Sequence, residues 1–209
     1  MTVSATLLVK DPPLDRLRAL VEYLRPVVSE FAFAVDDRTR PAARDEIAGW
    51  PGCVVADYRW RDDFADARNA SLALCTGDWA LCVDPDELPS AAMLEFVRTV
   101  DASPWLDASW QGSMYPAPRG YLFFTRNYED GAQGPEWEEH WHCRLFRTRL
   151  ARWYRPVHEL VSLDGMDESS LRGTSLLPKA PRAAVLLHSK LSDAAPASAE
   201  LYVRIGGRS

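Results

Sequence analysis

Three acids crowd into the four residues Asp84-Pro85-Asp86-Glu87, directly after the apolar run Trp79-Ala80-Leu81-Cys82-Val83. Such a run suits a strand covered on both faces. Carboxylates gathered where a buried strand ends are costly unless a cation or a charged substrate uses them. Hard oxygen donors of this kind suit Mg2+ or Mn2+, which keep some waters and take phosphate oxygens as further ligands. A polar turn capping the next helix is the plainer reading of Asp84 and Asp86; the third acid and the buried strand favour a metal. His188 follows a second apolar run, residues 183–187, and so belongs at a strand end where a third ligand can lie.

Other residues suggest complementary chemistry. Asp36 and Asp37 follow the apolar stretch FAFAV. A carboxylate there accepts from a base N–H or from ribose hydroxyls, or it simply ends a strand in a turn. Arg68 and Asn69 lie on a helix that leads to the acidic strand; an arginine there pairs with a carboxylate or a diphosphate, where the plain alternative is an exposed intrahelical ion pair. His158 and Glu159 offer a general base or an acceptor-binding pair. His140 and His142 would share one face of a strand, and Cys143 follows them. With no CxxC or HxxxH to complete a zinc site, they read as a core or substrate-contacting pair.

The elements that must position these groups follow from periodicity. Residues 5–9 form a first strand, and Leu14, Leu17, Leu20, Val21 and Leu24 mark an amphipathic helix. Residues 31–35 form a second strand, so strand, helix and strand make a parallel unit with a right-handed crossover. A short helix within residues 39–50 and a third strand at Val54 and Val55 come next. Asp62 and Asp63 can cap the central helix, whose stripe is Phe64, Ala67, Ser71 and Cys75, with Gly77 as its left-handed stop. A helix over residues 91–100 follows the acids. Beyond residue 104, short apolar pieces at 108–110, 121–125, 143–146, 157–163 and 183–187 alternate with turns and read as strands. Residues 164–181 read as a mobile loop, and residues 196–205 as a last short helix. The fold class is α/β: one domain, with a mostly parallel central sheet flanked by helices and a mixed C-terminal strand and loop region.

Composition bounds the partners. At 209 residues and a formal charge of −6, the chain has no electrostatic footprint for duplex nucleic acid. The four cysteines, Cys53, Cys75, Cys82 and Cys143, read as reduced thiols of a cytoplasmic protein. No apolar run reaches membrane-spanning length and the N-terminus lacks a basic region followed by an apolar one, so a soluble, unprocessed protein is expected. Eight Trp and seven Tyr exceed what the core needs, so some should line a concave site.

Together these residues resemble a known family. The stretch DDFADARNASLALCTGDWALCVDPDEL is similar to the central block of family 2 glycosyltransferases of the GT-A fold: F-x-x-A-R-N, a helix, G-D-W, an apolar strand, then D-x-D-E. The stretch CRLFRTRLARWYRPVHELV resembles their R-L-F-R segment followed by an aromatic and V-H-E. The resemblance is strong over residues 60–88 and 143–161, and the histidine after Leu186-Leu187 is similar to a C-terminal metal-completing histidine. It implies a GT-A (Rossmann-like) fold, hexosyltransferase-like activity, and a nucleotide-diphosphate sugar donor, a UDP-sugar first, with Mn2+ or Mg2+. By the same resemblance, Asp84 and Asp86 match the metal and diphosphate motif, completed by His188. Asp36 and Asp37 match the nucleoside-holding position, Arg68 and Asn69 lie near the donor, and Glu159 with His158 would bind the acceptor or act as base. The donor half would be residues 1–103, and the acceptor half of the same domain residues 104–209. The acceptor spans glycan, lipid-linked sugar, peptide or protein, and modified base. The chain departs from the family at Val9-Lys10-Asp11-Pro12, where K-N-E is usual, and at Asp36-Asp37-Arg38-Thr39-Arg40, where G-S-x-D-x-T is usual. A metal-dependent phosphoesterase or nuclease and a non-catalytic binding module are the alternatives.

Overall fold

The computed structural model describes residues 2–102, 117–129 and 136–190. The first half runs β1 (Val3–Val9), α1 (Leu14–Leu24), β2 (Glu30–Asp36), α2 (Pro41–Ala48), β3 (Cys53–Tyr58), α3 (Phe64–Leu72), β4 (Trp79–Cys82), β5 (Glu87–Pro89) and α4 (Ala91–Ala102). The second runs β6 (Gly120–Glu129), β7 (Glu136–Arg147), β8 (Ala151–Tyr154), β9 (Leu160–Leu163), β10 (Met166–Asp167), α5 (Glu168–Leu171) and β11 (Val185–Lys190). Eight strands form one sheet in the order β3-β2-β1-β4-β7-β6-β11-β5. Strands β10-β9-β8 form a small antiparallel sheet. β3, β2, β1 and β4 are parallel, as are β6 and β11; β7 and the short β5 run against their neighbours. The chain is thus α/β, with a mostly parallel sheet flanked by helices.

The strand order fixes where a ligand can sit. The chain winds outward from β1 through β2 to β3, then returns to place β4 on the other side of β1. The strand direction of travel reverses between β1 and β4, and open sheets bind ligands beyond the carboxyl ends at such a point.

The two faces of the sheet differ in side-chain size. Val3, Ala5, Leu7 and Val9 of β1, Phe31, Phe33 and Val35 of β2, and Trp79, Leu81 and Val83 point into one core, with Leu17, Leu20, Val21 and Leu24 of α1 and Met93 and Val97 of α4. The opposite positions are small: Ser4, Thr6, Ala32, Ala34, Ala80 and Cys82, all buried. α3 lies on that face with its own small residues Ala65, Ala67 and Ser71 buried. Small against small lets the helix axis come close, so a long side chain on α3 reaches past the strands to their ends.

Several expectations shift. α3 ends at Leu72 with Ala73 as its cap, so the stripe does not run to Cys75 and Gly77 is not its left-handed stop. Gly77 is instead a point of close approach: an added Cβ would lie 2.5 Å from Ser4 Oγ and 2.9 Å from both Ser4 N and Thr2 O. Residues 164–181 are not a mobile loop. Two short elements, β10 and α5, lie within them, and Leu171 and Leu177 are fully buried in a second core with Phe146, Trp153, Val161 and Leu163. Glu168 fastens this segment, accepting from Arg172 Nη2 at 2.5 Å and Val161 N at 3.3 Å, while Arg172 also donates to the Trp141 carbonyl at 2.8 Å. The strand expected over residues 157–163 begins only at Leu160, because Arg155 and His158 have positive φ, 72° and 51°. The expected strand at 108–110 and helix at 196–205 lie outside the described residues.

Gly77→Ala should lower stability by about 1–3 kcal/mol, the usual cost of forcing atoms into a packed site. The backbone atoms Ser4 N and Thr2 O cannot yield as a side chain can. Thermal or urea unfolding checks this; an unchanged midpoint would contradict the close packing of this turn on β1.

Candidate active site

Strand alternation delivers the site. Ala80 and Cys82 face α3, and continuing the period past Val83 carries Asp84 to the same side. α3 starts at Asp63, whose side chain accepts from Asp66 N at 2.9 Å, as its residue type predicts. Arg68 follows in its second turn and is buried on the sheet-facing side.

Arg68 grips Asp84 with both arms of its fork, Nη1 to Oδ1 at 2.9 Å and Nη2 to Oδ2 at 3.1 Å. Its Nε donates to Glu159 Oε1 at 2.6 Å, and its Nη1 lies 3.2 Å from Cys82 Sγ. The guanidinium carbon sits 5.2 Å from the Trp153 ring centroid, a cation–π contact. Arg144 of β7 approaches the same carboxylate, Nη1 to Asp84 Oδ2 at 3.5 Å, and donates through Nη2 to Glu87 Oε1 at 2.5 Å. The other Glu87 oxygen accepts from Asp84 N at 2.9 Å, and Glu87 N donates to Asp84 O at 3.0 Å, closing residues 84–87 into a tight turn. Arg144 Nε is buried without a hydrogen-bond partner among the described residues. The set therefore brings three carboxyl groups, those of Asp84, Glu87 and Glu159, against the guanidiniums of Arg68 and Arg144.

Burial alone would raise the Asp84 carboxyl; Arg68, then Arg144, outweigh it and hold it well below the usual carboxylate range. Glu87 is 3% exposed, and burial pushes it up against the pull of Arg144. Desolvation would lower Arg68, yet Asp84 and its neighbours keep it firmly charged.

Asp86 turns the other way, towards solvent, with its Oδ2 3.1 Å from His188 Nε2. His188 lies inside β11 and not beyond its end, opposite Glu87 of β5 and Asn127 of β6. Burial would lower its imidazole, but the Asp86 hydrogen bond and the surrounding acids hold it above the ordinary value. An oxygen donor and an imidazole nitrogen at that separation fit two ligands of a divalent cation. Asp84 fits as a third only if the arginines release an oxygen. Among the described residues no three His, Cys, Asp or Glu side chains are already gathered as a metal cage.

The remaining expected residues are dispersed. Asp36 ends β2 and is buried, with its carboxylate occupied by Arg38: Nε to Oδ1 at 2.8 Å, Nη2 to Oδ2, and the Arg38 backbone N to Oδ1 at 2.9 Å. The Arg38 hydrogen bond holds Asp36 below the usual carboxylate range. Asp37 is exposed, and its N–H donates to Tyr58 O. Asn69 does not face the acids. Its amide nitrogen donates to Trp153 O and its oxygen accepts from Trp153 N, both at 2.9 Å, so it bonds to β8 as a neighbouring strand would. Glu159 joins the cluster through Arg68, whereas His158 beside it is exposed.

His140 and His142 do share a face of β7, their ring centroids 5.8 Å apart. Sequence reasoning missed Arg144, although it lies within the R-L-F-R segment, and passed over Glu87 as a buried partner.

No protein-family model matches the chain. It is similar to the TPR repeat-containing protein Synpcc7942_0270 of Synechococcus elongatus, 31% identical over 160 residues, covering 76% of this chain and 35% of that protein. Among solved structures it is similar to two of S. aureus TarS 1–349. One is matched at 14% identity and a TM-score of 0.43, the other, in complex with UDP, at 13% and 0.44. Each match covers 72% of this chain and 48% of the TarS chain. The chain thus spans about a third of the length of the curated relative and about half that of the solved chains.

His142 supplies a test of the electrostatics. Burial, then the positive charges of Arg144, His140 and Arg172, lower its imidazole to about 3. A histidine neutral in the fold and protonated when unfolded contributes stability present above its unfolded pKa, near 6.5, and lost as pH falls towards 3. Wild-type stability should fall by up to about 1.4 kcal/mol per pH unit in that window from this group alone. His142→Gln should flatten that slope in urea titrations run across it; an unchanged slope would show that His142 does not titrate there.

Proposed function

We propose that this chain is a metal-dependent glycosyltransferase, moving a hexose from a nucleotide-diphosphate sugar, a UDP-sugar first, to an acceptor nucleophile. The observation that supports this reading is the acidic turn at the carboxyl end of β4. It stands beside the switch point of the sheet, with Arg68 over Asp84 and His188 against Asp86. The resemblance of residues 60–88 and 143–161 to family 2 glycosyltransferases is its companion.

In this reading Asp86 and His188 would hold Mn2+ or Mg2+, with Asp84 joining them once an arginine releases one of its oxygens. Such a cation, when bound, neutralises the charge that gathers on a departing diphosphate. Arg68 is preorganised in a buried setting, where a guanidinium stabilises developing negative charge more strongly than in water. The end of β2 takes the nucleoside, and its approach meets Arg38 before Asp36, since the Arg38 side chain is 52% exposed and that of Asp36 is 8%. Asn69 serves this site by tying α3 to β8, which keeps Arg68 in place. Glu159, the acceptor-side base, is held by Arg68 and takes a proton once that contact loosens; His158 flanks it on the solvent side. Residues 1–103 serve the donor, and the aromatic-rich remainder selects the acceptor.

Thermal stability measured with UDP-, GDP- and dTDP-sugars, each with and without Mn2+, tests the proposal. One nucleotide should stabilise the protein in a metal-dependent way, by about 2.7 kcal/mol at a hundredfold excess over Kd, and release of its diphosphate should follow with a suitable acceptor. Asp86→Asn should abolish the metal-dependent part. A flat response to every donor would overturn the assignment, and binding without turnover towards any acceptor would favour a binding module.

A further inference from the structure

Arg144 reaches the site through an irregularity in the sheet. β6 and β7 pair as Tyr121 with Leu145 and Leu122 with Cys143, so Arg144 has no opposite residue. It is the extra residue of a β-bulge, a device that re-aims a side chain. The neighbours show what the bulge does. Leu145 points into the first core, while Cys143 points into the second, on the α3 side. Arg144 points to that side too, with Nη1 3.8 Å from Cys82 Sγ. Two successive residues therefore face α3: Cys143 fills the core and Arg144 is delivered to the acids.

Once there, Arg144 touches both ends of the acidic turn, Glu87 through Nη2 at 2.5 Å and Asp84 through Nη1 at 3.5 Å. Its Nε has no hydrogen-bond partner among the described residues, so the side chain satisfies two carboxylates while its third donor direction goes unused there. A role limited to neutralising buried Glu87 would not call for the second contact. We propose that Arg144 is the positioning residue of this site: it spans Asp84 and Glu87, sets the 84–87 turn, and so fixes the direction in which Asp84 and Asp86 meet a ligand. The inference rests on the nucleotide-binding reading above and assigns a residue that reading does not use.

Separating positioning from charge balance takes a double variant. Arg144→Met alone leaves Glu87 buried without its countercharge and should lose melting temperature. Adding Glu87→Gln removes both charges and should recover most of that loss. Calorimetric titration with UDP, GDP and dTDP in millimolar Mn2+ should nonetheless show the double variant binding the preferred nucleotide at least tenfold more weakly than wild type. Arg144→Lys keeps the charge but cannot span two carboxylates; it should retain the wild-type melting temperature and lose several-fold in affinity. Wild-type affinity in the double variant would overturn the inference and leave the functional reading intact. If the double variant does not fold, unchanged affinity in Arg144→Lys overturns it equally. If the wild-type protein binds none of the three nucleotides, the functional reading fails and the role of Arg144 with it.

Discussion

Arg68 donates to Asp84 and to Glu159 from within the protein, and the elements around it are arranged to make those bonds possible. A guanidinium held away from water is tolerable only with its charge compensated and its donors used. Asp84 supplies the compensation from beyond the end of β4, Glu159 from just before β9, and Trp153 supplies a ring face. Removing one partner from such a set leaves an uncompensated buried charge, at a cost of about 3–5 kcal/mol. The contacts tie α3, β4 and the small sheet to one point. The shallow face of Ser4, Thr6, Ala32 and Ala34, which lets α3 lie close, is thus a requirement of the site as much as of packing.

The same interaction sets the chemical character of the strand end. Asp84 stays ionised because two arginines stabilise its charge, and their grip also keeps its oxygens turned inward. Asp86, separated from it by Pro85, faces the other way and is 56% exposed. Two aspartates of the same short motif thereby stand in different surroundings, one gripped by buried guanidiniums, the other exposed beside His188. Asp36 repeats the first arrangement at the end of β2, where Arg38 covers it. Both strand ends thus pair a carboxylate with a guanidinium, buried at β4 and partly open at β2, where the Arg38 side chain is 52% exposed.

Much of this was legible in the residues. The apolar run before Asp84, the cap at Asp63 and the spacing of Arg68 follow from local periods, and each forms as its pattern requires. Arg144 was not legible, because its aim depends on a one-residue shift between β6 and β7, and no period within either strand records a bulge. The use of Asn69 was hidden for a related reason: its partner lies 84 residues away, on a strand whose pairing no local signal sets. Residues 164–181 misled through composition. Their polar majority reads as a loop, while a few leucines and the Glu168–Arg172 pair are enough to pack them down. Gly77 was correctly singled out, but for its backbone freedom when its missing Cβ is what matters.

The place of β4 in the sheet bears on how the chain is assembled during synthesis. One edge of β4 is covered by β1, which precedes it; the other is covered by β7, which begins only at Glu136. Until that strand emerges, the wholly apolar β4 has an open edge with unpaired backbone groups, a template for pairing with other chains. The acids Asp84, Asp86 and Glu87 lie directly beyond that segment, the kind of charge that keeps an exposed apolar strand from pairing with other chains.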